Sequence, residues 1–158
     1  MLHNNILAHH SRSYFSEDIY EIEGELIDFS WSNPHIRFKL SGLDDSGQPT
    51  VWDIEAGSIY MLQRTGLSRD LFEIGSKMRF AGRISNINPA DVLATNVLLQ
   101  DGTEVIIIPT AQPRWPNSNI GGLEQWQDGL SELSKAKAEN KGIFRAVSYT
   151  HLTLPTKA

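Results

Sequence analysis

The chain has no cysteine. Disulfides, thiolate zinc sites and cysteine nucleophiles are therefore excluded, and the redox compartment is left open. It also lacks any run of basic residues, and its 158 residues carry a net charge of −5. Bulk electrostatics thus argues for no nucleic acid as a partner. No apolar run approaches the roughly 20 residues of a membrane-crossing helix, so no membrane span is expected. The motifs of common catalysis are missing too: no Gly-x-Ser-x-Gly elbow, phosphate loop, dinucleotide fingerprint or His-Glu-x-x-His, and no internal repeat.

What is present suits a turn-rich β protein. Hydrophobic residues make up 40% of the chain, with 12 glycines and 7 prolines. One stretch, Trp31-Ser-Asn-Pro-His-Ile-Arg-Phe-Lys-Leu40, organises the rest. A strand arrives through Glu21 to Trp31, Asn33-Pro34 interrupts it, and His35 to Leu40 leaves as a second strand. Pro34 has no N–H for a ladder, so a break there is expected. Ile36, Phe38 and Leu40 alternate with His35, Arg37 and Lys39, the period of a half-buried strand with His35 on its polar side.

The first strand changes its apolar parity. Ile22, Gly24 and Leu26 share one face, whereas Ile27, Phe29 and Trp31 share the other. A bulge at Leu26-Ile27 accounts for the switch, and small barrels turn corners this way. Asp44-Asp-Ser-Gly47 reads as a turn. Thr50 to Ala56 is the third strand, with Trp52, Ile54 and Ala56 inward. Ser58 caps a short helix Ile59 to Thr65, closed by Gly66. Lys77 to Ser85 is the fourth strand, bent at Gly82. Leu93 to Leu99 is the fifth, and Thr103 to Ile108 pairs back across an Asp101-Gly102 turn. Phe29, Phe38, Trp52, Ile54, Leu62, Phe80 and Val97 are the expected core.

These elements predict a mainly β chain: a small, partly closed barrel of the OB type, five to six strands with one short helix, plus a C-terminal helix. A β-sandwich is the alternative. The switching first strand favours the barrel, because one strand must serve both halves.

Around residues 9–109 the ends have their own character. Residues 1–8 read as a signal-peptide remnant or a ragged start, with Ala8 at the last position of a cleavage site. Residues 110–122, rich in Pro, Asn and Gly, read as a linker. Residues 123–145 read as an amphipathic helix and a truncated C-terminal segment, with Leu123, Trp126, Leu130 and Leu133 at helical spacing. Val147 to Thr156 resembles the translation of a transposase-type sequencing adapter, so residues 146–158 read as an adapter-derived tail and Ala146 to Ala158 is set aside from fold reasoning.

Several of these residues carry a resemblance. Ala8-His-His-Ser11, Phe29-Ser-Trp-Ser-Asn-Pro-His35, Trp52-Asp-Ile-Glu55, Ser58, Leu62, Arg64, Gly66 and Asp101-Gly102 resemble the bacterial family catalogued as domain of unknown function 6152. Members typically carry a signal peptide ending just before the paired histidines. The resemblance therefore implies a periplasmic or secreted protein. It implies no reaction. The incomplete leader of this sequence keeps a cytoplasmic location as the alternative.

Three constellations are candidates for chemistry. His9, His10 and His35 are three imidazoles without a thiolate, a donor set that suits copper(II). Trp31, Asn33, His35 and Arg37 form a possible ligand surface for an envelope protein, a peptide or a small molecule. Asp53 and Glu55 lie two apart on a strand and face the same way. Paired carboxylates can serve a hydrolase, but opposite Arg37, Lys39 or Arg79 they read more simply as a cross-strand charge face. The sequence favours an exported, non-enzymatic binding or interaction domain. A periplasmic copper-binding protein is the first alternative and a hydrolase the last.

Overall fold

A computed structural model describes residues 14–116 and 118–129. Seven strands are present there: β1 (Tyr20–Ser30), β2 (Arg37–Leu43), β3 (Pro49–Glu55), β4 (Lys77–Ile84), β5 (Asp91–Leu98), β6 (Glu104–Ile106) and β7 (Asn119–Gly121). They lie in the order β3-β2-β1-β4-β5-β6-β7. A parallel pairing of β3 with β5 closes the first five into a barrel. This is the OB-type closure expected from the sequence, not the sandwich.

The parity switch in β1 is a bulge. The register with β2 passes from Leu26↔Leu40 to Asp28↔Lys39, so Ile27 is left over and is 40% exposed. A second register shift falls between Ala81 and Gly82, where β4 meets β5. A Cβ at Gly82 would stand 2.5 Å from the Leu93 carbonyl oxygen, so glycine permits the bend.

Inside the barrel Leu26, Phe38, Leu40, Ile54, Phe80 and Val97 are fully buried. Phe38 packs on Phe80 and Phe72 at ring separations of 5.3 and 4.8 Å. Between β3 and β4 the helix α1 (Ile59–Arg64) seats Leu62 in this core. The Ser58 hydroxyl caps it by accepting from the Met61 N–H, and Gly66 leaves it with φ +80°. A turn of 3-10 helix (Arg69–Leu71) leads to Phe72.

Four expectations need revision. The second strand begins at Arg37 instead of His35 and runs on to Leu43. The strand expected at Thr103 to Ile108 is only Glu104–Ile106. Both Ile107 N and Ile108 N donate to one acceptor, the Thr95 carbonyl, so the chain leaves the ladder before Pro109. The stretch read as a linker, 110–122, contains β7, parallel to β6 through Val105↔Ile120. Residues 123–129 are helical as expected, but Leu123 is 50% exposed and not part of a buried stripe. Trp126 makes the contact instead, with the Arg64 guanidinium 4.1 Å over its ring. Residues 1–8, His9 and His10, the later part of the expected C-terminal helix and 146–158 lie outside the described residues.

Candidate functional site

The loop from Trp31 to Ile36 joins β1 to β2 across a cis Asn33–Pro34 bond. Both its ends are fixed. Trp31 is half-buried, its ring 5.9 Å from Phe72. Ile36 is fully buried, donates its N–H to the Gly57 carbonyl at 3.1 Å and accepts from Ala56 N at 2.8 Å. Between these anchors Asn33 and His35 are left exposed.

His35 is oriented by its neighbour across the sheet. Its Nδ1 lies 2.9 Å from Glu55 Oε1. The other oxygen of Glu55 accepts from Arg37 Nη1 at 3.3 Å, and Arg37 Nε donates to Asp53 Oδ1 at 3.1 Å. The pairing of β2 with β3 produces this chain, because Arg37 stands directly opposite Glu55 and Lys39 opposite Asp53. In a neutral imidazole, a proton held on the nitrogen beside a carboxylate leaves the lone pair on the other nitrogen. The His35 side chain is half-exposed at 50%.

The four residues Trp31, Asn33, His35 and Arg37 are placed as follows. His35 and Arg37 share Glu55, Asn33 stands in the same loop, and Trp31 contributes from a position committed to Phe72. Asp53 and Glu55 do face the same way. Both are held by Arg37, with a second contact of 3.0 Å from Nη2 to Asp53, so they form the cross-strand charge face and not a free acid–base pair. Of the three histidines only His35 is among the described residues, and there no group of three or more His, Asp or Glu side chains is arranged to hold a metal ion.

A second polar constellation was missed in the sequence. Glu104 is fully buried, and its carboxylate accepts from Asn96 Nδ2 at 2.7 Å, Arg114 N at 2.9 Å and Trp115 N at 3.2 Å. Asn96 is also buried and donates to the Gln112 carbonyl at 3.0 Å. These bonds tie residues 112–115 to β5 and β6. Beside them is a cleft of about 450 Å³ lined by Arg83, Thr95, Asn96, Thr110, Gln112 and Arg114. A signal for it existed in β5. The core residues change parity from Val92 and Ala94 to Val97 and Leu99, which turns Asn96 to the outer face.

The family model described as "Family of unknown function (DUF6152)" matches residues 2–104. No curated protein matches. Among solved structures, the mitochondrial single-stranded DNA-binding protein Rim1 of S. cerevisiae is 8% identical, with TM-score 0.38 over 52% of this chain and 93% of that one. The N-terminal domain of PriB from Thermoanaerobacter tencongensis is 15% identical, with TM-score 0.35 over 53% of this chain and 97% of that one. These likenesses concern the fold alone.

Proposed function

The chain belongs to the DUF6152 family, and from that premise we propose that it is an exported, non-enzymatic binding domain that takes its ligand on the loop from Trp31 to Arg37. The observation that carries the reading is the contact of His35 Nδ1 with Glu55 at 2.9 Å. It places a half-exposed imidazole next to exposed Asn33 at the edge of a closed barrel. A rigid scaffold presenting polar groups on a short loop is the ordinary design of a binding site. The ligand we propose is a peptide or small molecule of the cell envelope and not nucleic acid. In support, Arg37 is already neutralised by two carboxylates and the net charge is −5. The test is a screen of short peptides and small metabolites by amide and imidazole NMR shifts. Ligands should move Asn33, His35 and Arg37 together, and His35→Ala should weaken them at least tenfold. Ligands that all map elsewhere would overturn the proposal.

A second reading rests on the same contact. A carboxylate behind an imidazole is the usual support of a metal-ligating histidine. In this reading copper(II) takes Nε2 of His35, with His9 and His10 as the remaining donors. Because the ligands must be unprotonated, affinity should fall as the solution is acidified. A copper titration of a chain beginning at His9 separates the readings. Binding that neither His35→Ala nor an extra residue ahead of His9 weakens would remove copper from consideration.

A further inference from the structure

We propose that the cleft beside β4 and β5 is a second binding site, for a carboxylate whose neighbouring carbon carries an amide N–H, as in an N-acylated amino acid or the C-terminal residue of a peptide. None of its lining residues belongs to the loop that holds His35.

The charge of the wall points to an anion. Two guanidinium groups, Arg83 and Arg114, line the cleft, and no Asp or Glu does. This is notable in a chain of net charge −5. Arg114 spends one nitrogen on Glu21 at 3.2 Å and keeps its others. Arg83 is half-buried and forms no ion pair among the described residues. Guanidinium is the side chain best matched to a carboxylate, through paired N–H donors in one plane.

The requirement for an N–H comes from Asn96. Its amide nitrogen has two protons, and both are used, one on Glu104 and one on the Gln112 carbonyl. That fixes the amide orientation and leaves Oδ1, in a side chain that lines the cleft, with no donor to it among the described residues. A ligand that brings both a carboxylate and an N–H answers both groups at once. Ile19, Ile108 and Pro113 give the rest of the wall an apolar character, which suits an apolar side chain on the ligand. The volume of about 450 Å³ falls within the ordinary range of small-ligand sites. The site is also built in advance, since Glu104 holds residues 112–115 in place from behind. Pre-set walls lower the ordering cost of binding.

The experiment uses the full chain and three probes: N-acetyl-leucine, its methyl ester, and a tetrapeptide ending in leucine. Calorimetry gives the affinity, and NMR follows the Thr95 and Thr110 amides and the Asn96 side-chain amide. N-acetyl-leucine should bind saturably and shift these resonances. The ester should bind at least tenfold more weakly. Arg83→Gln should reduce affinity about tenfold or more, the scale of one charge-assisted bond, while Arg83→Lys should recover part of it. The thermal midpoint of both variants should match the wild type. If the tetrapeptide binds more tightly than N-acetyl-leucine, the source is a peptide C-terminus. Equal affinities assign the site to a free N-acyl amino acid. No saturable binding, an ester that binds as well as the acid, or an affinity untouched by Arg83→Gln would each overturn the proposal.

Discussion

Glu104 shows what single residues contribute to this fold. A buried carboxylate without partners would be costly, but this one accepts three N–H bonds. Glu104→Gln keeps the volume but turns an NH₂ group toward at least one of those donors. The expected loss is about 1–3 kcal/mol, the cost of one unsatisfied buried donor, read from urea unfolding. Phe80→Ala should cost about 3–5 kcal/mol, because Phe80 is fully buried and packed on Phe38. Arg79 next to it is held by Glu23 at 2.6 Å, but on the exposed face. Arg79→Ala should therefore cost about 0.5 kcal/mol or less. Equal losses at positions 79 and 80 would mean the strand faces are reversed. The core residues were legible because an inward position demands an apolar side chain whatever covers the other face. Glu104 was not legible, because its partners Arg114 and Trp115 lie in a stretch whose Pro, Asn and Gly content reads as unstructured.

At the scale of elements, turns and caps were the most readable parts. Ser58, Gly66 and Asp101-Gly102 act as their chemistry requires, since such groups depend on neighbours only a few residues away. The Asp44 turn has the same local character. Its Oδ1 accepts from the Ser46 hydroxyl and from the Gln48 and Ser46 N–H groups, and these bonds hold its pKa below the ordinary carboxylate value. The turn's contribution should be fully present above the unfolded value of about 3.9 and fade as pH falls through the lower folded value. Asp44→Asn should flatten the acid limb of the stability profile in that window, and an unchanged limb would refute the assignment. From sequence alone, Gly129 in the helix that begins at Leu123 is only a weak helix former. Its purpose is a close approach, since a Cβ there would stand 2.5 Å from the Arg64 carbonyl oxygen. Gly129→Ala gains about 1 kcal/mol of helix propensity, yet it should loosen the docking of Trp126 on Arg64. Near-UV circular dichroism and indole fluorescence report that contact, and a variant with unaltered signals and higher stability would show that the approach is relaxed at no cost.

Across the whole molecule, the barrel was foreseen from one switch of parity, because a strand that serves two sheets must turn its side chains over where it changes partner. The path of residues 107–116 beyond β6, and the strand β7 that follows, were not foreseen. They are held by hydrogen bonds to Thr95, Asn96 and Glu104, and a pattern of apolar residues carries no trace of such bonds. The closure itself has a consequence for the order of assembly. β3 meets β5 over only three pairs, Asp53↔Asp91, Ile54↔Val92 and Glu55↔Leu93, whereas β2 and β3 share seven. The short seam joins segments far apart in the chain, so closing it demands a large loop entropy and returns few contacts. The β1-β2-β3 meander and the β4-β5 hairpin need only local turns. The seam is therefore expected to zip last, after the rate-limiting barrier. Val92→Ala, at a buried seam position, should cost about 2 kcal/mol and show it as faster unfolding with refolding little changed. Leu40→Ala in the meander should instead slow refolding. In stopped-flow chevrons, equal movement of the refolding limb by both variants would place the seam in the nucleus. If the order holds, the native barrel breathes by parting at β3 and β5, and the amide of Asp53, which donates across the seam to the Ala90 carbonyl, exchanges with solvent well before those of β1.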